Sequence, residues 1–299
     1  MRVLVTGSQG FTGHYVTRQL LQAGHDVVGT ATHLNDTRTV DLFETKAMDL
    51  TNPDQVKRVV ESVRPDAVIH LAAVSYVGHG APAEFYTTNV LGTRNLLESL
   101  AGADLPLQNV ILASSANVYG NSRQGVLTED TPPAPANDYA VSKLAMEYMA
   151  LLWADRLPLI ITRPFNYTGV GQSTRFLIAK IVDHFCRREV SIKLGNLDIS
   201  RDFSDVRDVA CMYEALLTAG VDMQGCVVNL CSGISWSMQD ILSACSDITG
   251  HTLSVETDPS LVRQNEVKNL QGSNEAIMRV LDKPMTPFNE TLNWMLQKQ

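Results

Sequence analysis

A glycine-rich turn between a short strand and a helix is the feature that most constrains this fold. The apolar run Arg2–Thr6 predicts a buried strand and passes directly into TGSQGFTG, which places Gly7, Gly10 and Gly13 ahead of a helical pattern over residues 12–23. Glycines at this spacing let backbone N–H groups approach a pyrophosphate at the helix N-terminus. A glycine triplet also occurs in plain turns, but its place at the first strand–helix junction favours a dinucleotide site.

Short apolar strands alternate with helical patterns through the first half of the chain. Further strands are predicted at 26–29, 67–71 and Asn109–Ala113, and helices at Pro53–Val63 and 88–100. Such alternation is typical of a parallel sheet with right-handed crossovers. The predicted fold class is therefore α/β, a doubly wound parallel sheet of the Rossmann type, with a smaller α/β C-terminal domain for substrate binding.

The pattern becomes less regular after about residue 165. Helices are predicted at 175–187, 207–219 and 237–250, and a strand at 226–230. Because no Ser/Pro-rich linker separates the two parts, we expect them to pack directly together. We predict a dinucleotide-binding domain over residues 1–165, to which residues at about 203–235 return, and a second domain over residues 166–299.

Composition narrows the classes of partner. The chain has 24 lysines and arginines against 32 aspartates and glutamates, a formal net charge of −8, so nucleic acid is not an expected partner. Five cysteines form no CxxC pair and no histidines stand at HxxxH spacing, which predicts no metal site and a reducing compartment. No apolar run approaches the roughly 18 residues of a membrane span. A cytoplasmic protein without membrane contact is expected.

A tyrosine and a lysine one helical turn apart are the candidate proton-transfer groups. Tyr139 and Lys143 share a helix face, and Ser115 follows the predicted strand Asn109–Ala113. A nearby ammonium group and a cationic cofactor would move the phenol pKa from about 10 towards neutrality. Such a tyrosine can exchange the proton that accompanies hydride transfer, while the serine hydroxyl binds the reacting oxygen. The YxxxK spacing alone also arises by chance, so the serine is the decisive addition.

Two further segments bear on the cofactor. Asp49 and Leu50 follow a short predicted strand and could receive the adenine amino group, or could belong to the helix N-cap region before Pro53. NAD sites usually place an acid near the end of the second strand. Here that stretch begins at Gly29, and no carboxylate follows it before Asp36. Thr30, Thr32, His33 or Arg38 could instead contact a 2′-phosphate. NADP is therefore predicted, with NAD as the alternative.

Several segments together resemble the extended short-chain dehydrogenase/reductases of the nucleotide-sugar epimerase/dehydratase kind. They are TGSQGFTG, Asp49-Leu50, HLAA (70–73), Asn89, SSANVYG, YAVSK, RPFN (163–166), LGNLDISRDF (194–203) and NLCSG (229–233). The resemblance implies that Ser115, Tyr139 and Lys143 form the catalytic set. The cofactor-binding positions it implies, with those argued above, are Gly7, Gln9, Gly10, Phe11, Gly13, Thr30, His33, Asp49, Leu50, Leu71, Ala72, Ala73, Asn89, Ser114, Tyr139, Lys143 and Arg163.

The segment LGNLDISRDF is similar to the corresponding loop of GDP-mannose 4,6-dehydratases and of the related GDP-4-keto-6-deoxy-mannose reductases. The resemblance implies that residues 166–299 mainly bind the nucleotide sugar. Arginine forks and a lysine suit its diphosphate. Lys180 could instead be solvated on its helix, and Arg201 could pair with Asp202. The implied substrate-binding residues are Asn117, Asn166, Lys180, Asn196, Arg201, Arg263 and Glu266.

Helices at 88–100 and 138–154 resemble those of the family's dimer interface, so a homodimer is expected.

One position departs from the family's dehydratases. They carry an acid two residues after the catalytic Ser or Thr, and the GDP-fucose synthases carry a cysteine there, whereas this chain has Asn117. An amide is neither a general acid nor a base, so both dehydration and epimerisation next to the ketone are disfavoured. The reaction that remains is hydride and proton transfer at one carbon. We predict NAD(P)H-dependent 4-keto reduction of GDP-4-keto-6-deoxy-D-mannose to GDP-D-rhamnose or GDP-6-deoxy-D-talose. The alternative is a 4-epimerase with tightly bound NAD; a 4,6-dehydratase or a non-catalytic NADP-binding sensor is less favoured.

Overall fold

The computed structural model describes residues 1–33, 43–75, 82–120, 125–262 and 268–298. Its strands are β1 (Arg2–Thr6), β2 (Asp26–Ala31), β3 (Glu44–Ala47), β4 (Ala67–His70), β5 (Asn109–Ala113), β6 (Gly125–Leu127), β7 (Leu159–Pro164), β8 (Asn166–Thr168), β9 (Ser191–Leu194), β10 (Ser200–Asp205), β11 (Val227–Leu230), β12 (Ser235–Ser237), β13 (Ser254–Thr257) and β14 (Asn269–Gly272). Its helices are α1 (Phe11–Gln22), α2 (Pro53–Val63), α3 (Pro82–Phe85), α4 (Thr93–Gly102), α5 (Asp138–Ala150), α6 (Leu177–Cys186), α7 (Val206–Thr218), α8 (Met238–Thr249), α9 (Glu275–Met278) and α10 (Phe288–Lys298).

Seven parallel strands form the central sheet, in the order β11-β7-β5-β4-β1-β2-β3. Successive side chains of a strand point to opposite faces, so the apolar strands feed two cores. Val3 and Val5 pack on the side of α1 and α7, and Leu4 packs on the side of α2, α4 and α5. The predicted doubly wound α/β class is confirmed.

Several observed bounds differ from the expected ones. The sheet gains β7, which the sequence analysis quoted only as the motif RPFN and did not identify as a strand. The expected short strand before Asp49 is β3. The helix expected at 88–100 belongs to a longer helical stretch, in which a π-helical segment, Tyr86–Gly92, joins α3 to α4.

A second set of strands surrounds β10. It pairs with β12 antiparallel and with β14 and β8 parallel, while β14 pairs with β6. The strands β9 and β13 form a separate parallel pair, and α6, α8 and α10 share a third apolar core. Thus β6, from the first half of the chain, joins β14, whereas α7 and β11 lie against first-half elements. The division at residue 165 stays a prediction.

Buried carboxylates fasten the C-terminal segment to α7. The Asp208 side chain is fully buried and accepts hydrogen bonds from Lys283 Nζ at 2.6 Å, Thr286 N at 2.6 Å and Thr286 Oγ1 at 2.9 Å. Asp205 caps α7 and accepts from Thr291 Oγ1 of α10 at 2.7 Å.

Within the described ranges, no helix combines the length and apolar character that crossing a membrane requires.

Replacing Asp208 should therefore destabilise the fold. Asp208→Ala leaves a half-buried ammonium and a backbone N–H without their acceptor, and we expect the free energy of unfolding to fall by about 2–4 kcal/mol. Urea unfolding of the wild type and the variant measures the difference. Asp247→Ala, at an exposed position of α8, is the control and should change stability by less than about 0.5 kcal/mol. Equal losses in the two variants would contradict the anchoring role.

Candidate active site

The three glycines of the first turn pack it closely against its neighbours. Gly7 has φ +70°, and a Cβ there would lie 2.9 Å from the backbone N and Cα of Ala72. A Cβ at Gly13 would lie 2.2 Å from the carbonyl oxygen of Gly7. The helix α1 begins after Gly10 without a side-chain cap. The N–H groups of its first turn can therefore donate hydrogen bonds to an anion at the carboxyl edge of the sheet.

His70 links β1, β4 and α4 beneath this turn. Its Nδ1 lies 2.6 Å from Thr6 Oγ1 and its Nε2 lies 2.9 Å from Thr93 Oγ1. Thr93 Oγ1 donates its own proton to the carbonyl of Asn89, so it must accept the hydrogen bond from His70, and Nε2 therefore carries the ring proton. The other ring nitrogen, Nδ1, is then the acceptor and receives the hydroxyl proton of Thr6, whose Oγ1 accepts from Ala72 N. Burial, with the charge of Lys143, lowers the pKa of His70 to about 3. A neutral imidazole thus holds the strand ends together. The sequence analysis gave this residue no role.

Asn89 fixes the chain that follows β4. Its Oδ1 accepts from Val74 N at 2.9 Å, and its Nδ2 donates to Val74 O at 3.1 Å and to Ser142 Oγ of α5 at 3.0 Å. The side chain therefore joins the segment containing Leu71, Ala72 and Ala73 to α5. Contact of these residues with a cofactor stays a prediction.

The structure brings Ser115, Tyr139 and Lys143 together. The side chains of Ser115 and Tyr139 are hydrogen bonded, and Lys143 Nζ donates to the carbonyl of Ala113 at 2.7 Å. All three side chains are buried or nearly so. Ser115 Oγ also accepts from Asn117 N at 3.2 Å, while the Asn117 side chain is exposed beside it. A hydroxyl and a phenol that share a hydrogen bond can bind one substrate oxygen between them.

Electrostatics at these residues differ from the sequence-based expectation. Burial raises the pKa of Tyr139 to about 12, and the hydrogen bond with Ser115 acts in the opposite direction. Burial lowers the pKa of Lys143 to about 8, against the attraction of the Glu147 carboxylate. The protein groups alone therefore favour a neutral phenol, because burial outweighs the hydrogen bond with Ser115. Lys143 directs its own hydrogen bond to a carbonyl. The expected lowering of the phenol pKa would have to come from a cationic cofactor.

A buried polar network lies behind the three residues. Arg163 Nε donates to Glu147 Oε1 at 3.0 Å, its Nη2 donates to Oε2 at 2.6 Å and its Nη1 donates to Tyr119 OH at 3.1 Å. Ser114 Oγ donates to the same Glu147 oxygen as Arg163 Nε. Ser114 and Arg163 thus direct their polar groups to Glu147, and their cofactor contact stays a prediction. Sequence analysis missed Glu147, although it stands one helical turn after Lys143.

The remaining cofactor positions surround the same edge. Ser8 N and Oγ both donate to the carbonyl of Thr30, and His33 is exposed. Asp49 Oδ1 accepts from Thr51 N at 2.9 Å and from Thr51 Oγ1 at 2.7 Å, whereas Asn52 caps α2. Asp49 therefore forms a local turn and is not the helix cap. Leu50 is buried, Gln9 and Phe11 are half-buried, and Asp36 and Arg38 lie outside the described residues.

Two predicted substrate residues lie on neighbouring strands. Asn166, on β8, is exposed and donates to the carbonyl of Asp202 at 3.3 Å, and Arg201 lies on β10 with its Nη1 2.8 Å from Ser200 O. The Asp202 carboxylate points inward and accepts from Ser232 Oγ at 2.6 Å and from the backbone N–H groups of Ser232, Gly233 and Gly272. Burial raises the pKa of Asp202 against these hydrogen bonds.

The other predicted substrate residues are more scattered. Lys180 Nζ donates to the carbonyl of Lys193 at 2.5 Å, and this hydrogen bond joins α6 to β9. The lysine therefore has a partner within the protein in addition to solvent. Asn196 is half-buried in the loop after β9. Arg263 and Glu266 lie outside the described residues. The described residues contain no cluster of three or more His, Cys, Asp or Glu side chains that could hold a metal, and all five cysteines are free thiols.

Comparison with known proteins adds independent information. Residues 4–295 match the family described as GDP-mannose 4,6 dehydratase. A GDP-6-deoxy-D-talose 4-dehydrogenase from Aggregatibacter actinomycetemcomitans is 32% identical, over 94% of this chain and 91% of its own length. A GDP-6-deoxy-D-mannose reductase from Pseudomonas aeruginosa is 34% identical, over 91% of this chain and 88% of its own length.

Solved structures share the whole fold. A putative epimerase from Burkholderia cenocepacia superposes with a TM-score of 0.92 at 48% identity, covering 99% of this chain and 97% of its own. The structure of RMD from Pseudomonas aeruginosa complexed with NADPH has a TM-score of 0.85 at 31% identity, covering 99% of this chain and 96% of its own. The whole described chain therefore has counterparts of known structure.

Acid should destabilise the protein through His70. Its folded pKa of about 3 lies below the value of 6.5 for an unfolded histidine. Between these values only the unfolded chain takes up the proton, so stability is present above about pH 6.5 and is lost as the pH falls towards 3, by up to about 1.4 kcal/mol per pH unit. Urea unfolding at several pH values measures this slope. His70→Gln should reduce it and His14→Gln, exposed on α1, should not; an unchanged slope in His70→Gln would contradict the assignment.

Proposed function

The chain belongs to the family described as GDP-mannose 4,6 dehydratase, and we propose that within this family it is a 4-keto reductase of a GDP-linked 4-keto-6-deoxyhexose. It is an enzyme of nucleotide-sugar chemistry that uses a nicotinamide cofactor. The finer assignment is reduction of GDP-4-keto-6-deoxy-D-mannose to GDP-D-rhamnose or to GDP-6-deoxy-D-talose. Relatives named as a GDP-6-deoxy-D-mannose reductase and a GDP-6-deoxy-D-talose 4-dehydrogenase support this substrate class.

The observation that carries the proposal is the hydrogen-bonded Ser115–Tyr139 pair with an amide, rather than an acid, at position 117 beside it. Dehydration needs a group that moves protons at a neighbouring carbon, and the exposed Asn117 side chain next to Ser115 cannot do so. Reduction of a ketone needs only one proton, delivered to the oxygen that becomes a hydroxyl. The Tyr139 phenol, neutral by its pKa in the protein alone, can supply it.

The roles of the residues follow from this geometry. A nicotinamide held at the carboxyl edge of the sheet would supply the hydride for C4 of the sugar. Ser115 Oγ donates a hydrogen bond to the carbonyl oxygen as negative charge develops there, and Tyr139 OH transfers its proton to that oxygen. The Lys143 ammonium, buried nearby, stabilises the phenolate that Tyr139 becomes.

We propose NADP as the cofactor, with NAD as the alternative. The end of β2 and the residues after it, Thr30 to His33, carry no carboxylate that could accept from a ribose 2′-hydroxyl. The exposed His33 and Thr32 could donate to a 2′-phosphate instead. The NADPH in the structure of RMD agrees with this choice.

The nucleotide sugar is proposed to bind along β8 and β10. Asn117 is exposed beside Ser115, Asn166 is exposed on β8, and Arg201 on β10 is proposed to bind the diphosphate. Lys180, Asn196, Arg263 and Glu266 complete the proposed set.

A 4-epimerase is the second candidate, because the 48% identical structure from Burkholderia cenocepacia is named a putative epimerase. Such an enzyme would use the same Ser, Tyr and Lys but regenerate its cofactor in each turnover. Cofactor retained through desalting, with no net consumption of NAD(P)H, would favour the epimerase. Stoichiometric NAD(P)H oxidation with GDP-4-keto-6-deoxy-D-mannose would favour the reductase, and NMR of the product would give its C4 configuration.

Removal of the phenol hydroxyl tests the mechanism. Tyr139→Phe should lower kcat by about 10²-fold or more, because the hydroxyl of Ser115 that remains is a much weaker acid than the phenol. Binding of the GDP-sugar, measured by calorimetry, should change little. Tyr148→Phe, at an exposed position of the same helix, is the matched control and should keep wild-type turnover. Near-normal turnover by Tyr139→Phe would show that its proposed role is wrong.

We also propose that the protein is a homodimer. Exposed apolar side chains accompany α5 and the helical turn before α4, and burial of such a patch against a second copy would be favourable. They are Leu91, Val141, Tyr148, Leu151 and Leu152. Light scattering at micromolar concentration should give twice the mass of one chain, and Leu151→Glu/Leu152→Glu should give the mass of one. A wild-type monomer would contradict the proposal.

A further inference from the structure

Glu147 is a buried carboxylate that the proposed reaction does not use. It lies on α5 one turn after Lys143 and two turns after Tyr139, and its side chain is 6% exposed. Residues four apart share one face of a helix, so Tyr139, Lys143 and Glu147 follow one another along that face. A buried carboxylate is costly unless it is paired and hydrogen bonded. Its position beside the proposed catalytic lysine therefore calls for a role.

The contacts of Glu147 tie α5 to the end of β5. Ser114 Oγ donates to its carboxylate, and Arg163 of β7 donates twice to it, at 3.0 and 2.6 Å. Ser114 directly precedes Ser115. Lys143 makes a second link to the same segment through the carbonyl of Ala113, at 2.7 Å. Ser115 is thus held against α5 by a link at each of the two residues before it.

Glu147 is also the anion that faces Lys143. Two titratable side chains of the described residues interact electrostatically with this ammonium, Glu147 of α5 and His70 of β4. Tyr139 lies one turn before it on α5, and Arg163 of β7 is hydrogen bonded to Glu147. His70 is neutral, the Tyr139 phenol is protonated and Arg163 is cationic. Burial lowers the pKa of Lys143, and the Glu147 carboxylate is the group that acts to raise it.

We propose that Glu147 is a positioning residue of the candidate active site: through Ser114 its carboxylate sets Ser115 against Tyr139, and one helical turn along α5 it supplies the negative charge that accompanies Lys143. The inference rests on the proposed function in giving Lys143 its role in proton transfer. A purely structural ion pair between Glu147 and Arg163 is the competing explanation. The two differ in what happens to Lys143 when both charges of the pair are removed together.

The test uses a paired substitution. Glu147→Gln alone keeps a hydrogen-bond acceptor for Ser114 but leaves the buried Arg163 without its anion, which destabilises the fold. Glu147→Gln/Arg163→Gln removes both charges and restores electrical balance. Whichever of the two folds, as judged by circular dichroism, serves for the titration, because each removes the anion from beside Lys143.

The first readout is the Lys143 titration itself, followed by NMR of protein with ¹³C-labelled lysine side chains. The Lys143 signal is identified by its loss in Lys143→Met. In the Glu147 variants we expect the pKa of Lys143 to fall by about one unit or more. Glu147→Asp, which keeps the charge, should restore it towards the wild-type value. A pKa of Lys143 that stays unchanged in Glu147→Gln, or in the paired variant relative to Arg163→Gln, would overturn the proposal. Because no substrate is needed, this result is independent of whether the proposed reaction is correct.

The second readout is the pH profile of NADPH-dependent turnover. In the Glu147 variants Lys143 should lose its charge at a lower pH than in the wild type. The alkaline limb of the kcat profile should therefore move to lower pH by the same amount as the pKa of Lys143. Asp208→Asn is the matched control, because it breaks another buried carboxylate–lysine pair, on α7, and should lower stability without moving the limb. An equal shift in both variants would overturn the proposal. Absence of turnover in the wild type would refute the proposed function and leave the Lys143 titration to decide the role of Glu147.

Discussion

Parallel pairing of β1 with both β2 and β4 determines where the glycine turn and the proposed catalytic residues lie. In this arrangement the chain leaves β1, β4, β5 and β7 at the same edge of the sheet. The glycine turn, the segment after β4 and Ser115 therefore meet, although they are separated by up to about a third of the chain. The closeness of Gly7 to Ala72 is a direct expression of this pairing: a single methyl group at Gly7 would collide with the neighbouring backbone.

Buried polar groups then fix the details of that edge. His70 bridges two threonines, Asn89 joins the segment after β4 to α5, and the Glu147–Arg163 pair joins α5 to β5 and β7. In a low-dielectric interior an unpaired polar group is costly, so each network has one arrangement that satisfies its members. Such networks specify position more than they add stability. A reaction that requires a serine, a tyrosine and a lysine in fixed relative positions benefits from this specificity.

The second set of strands repeats the principle for the proposed substrate residues. Asp202 is buried and receives four hydrogen bonds, three from the segment after β11 and one from the last residue of β14, while its own carbonyl accepts from Asn166. This inward carboxylate fixes the backbone of β10 next to Arg201. The pairing of β6 with β14 and of β11 with β7 ties both halves of the chain into both sheets.

The amino-acid sequence by itself determined the alternation of strands and helices, the glycine turn and the Tyr139–Lys143 spacing, because each depends on residues close together in the chain. It missed β7 and the neutral state of His70, and it gave Arg163 no partner. It also predicted a lowered phenol pKa for Tyr139, whereas burial raises it to about 12. Only the tertiary structure decided these points. Arg163 lies 16 residues from Glu147 and His70 lies 64 from Thr6, so their contacts depend on strand order and on exclusion of water, which no local pattern of residues encodes.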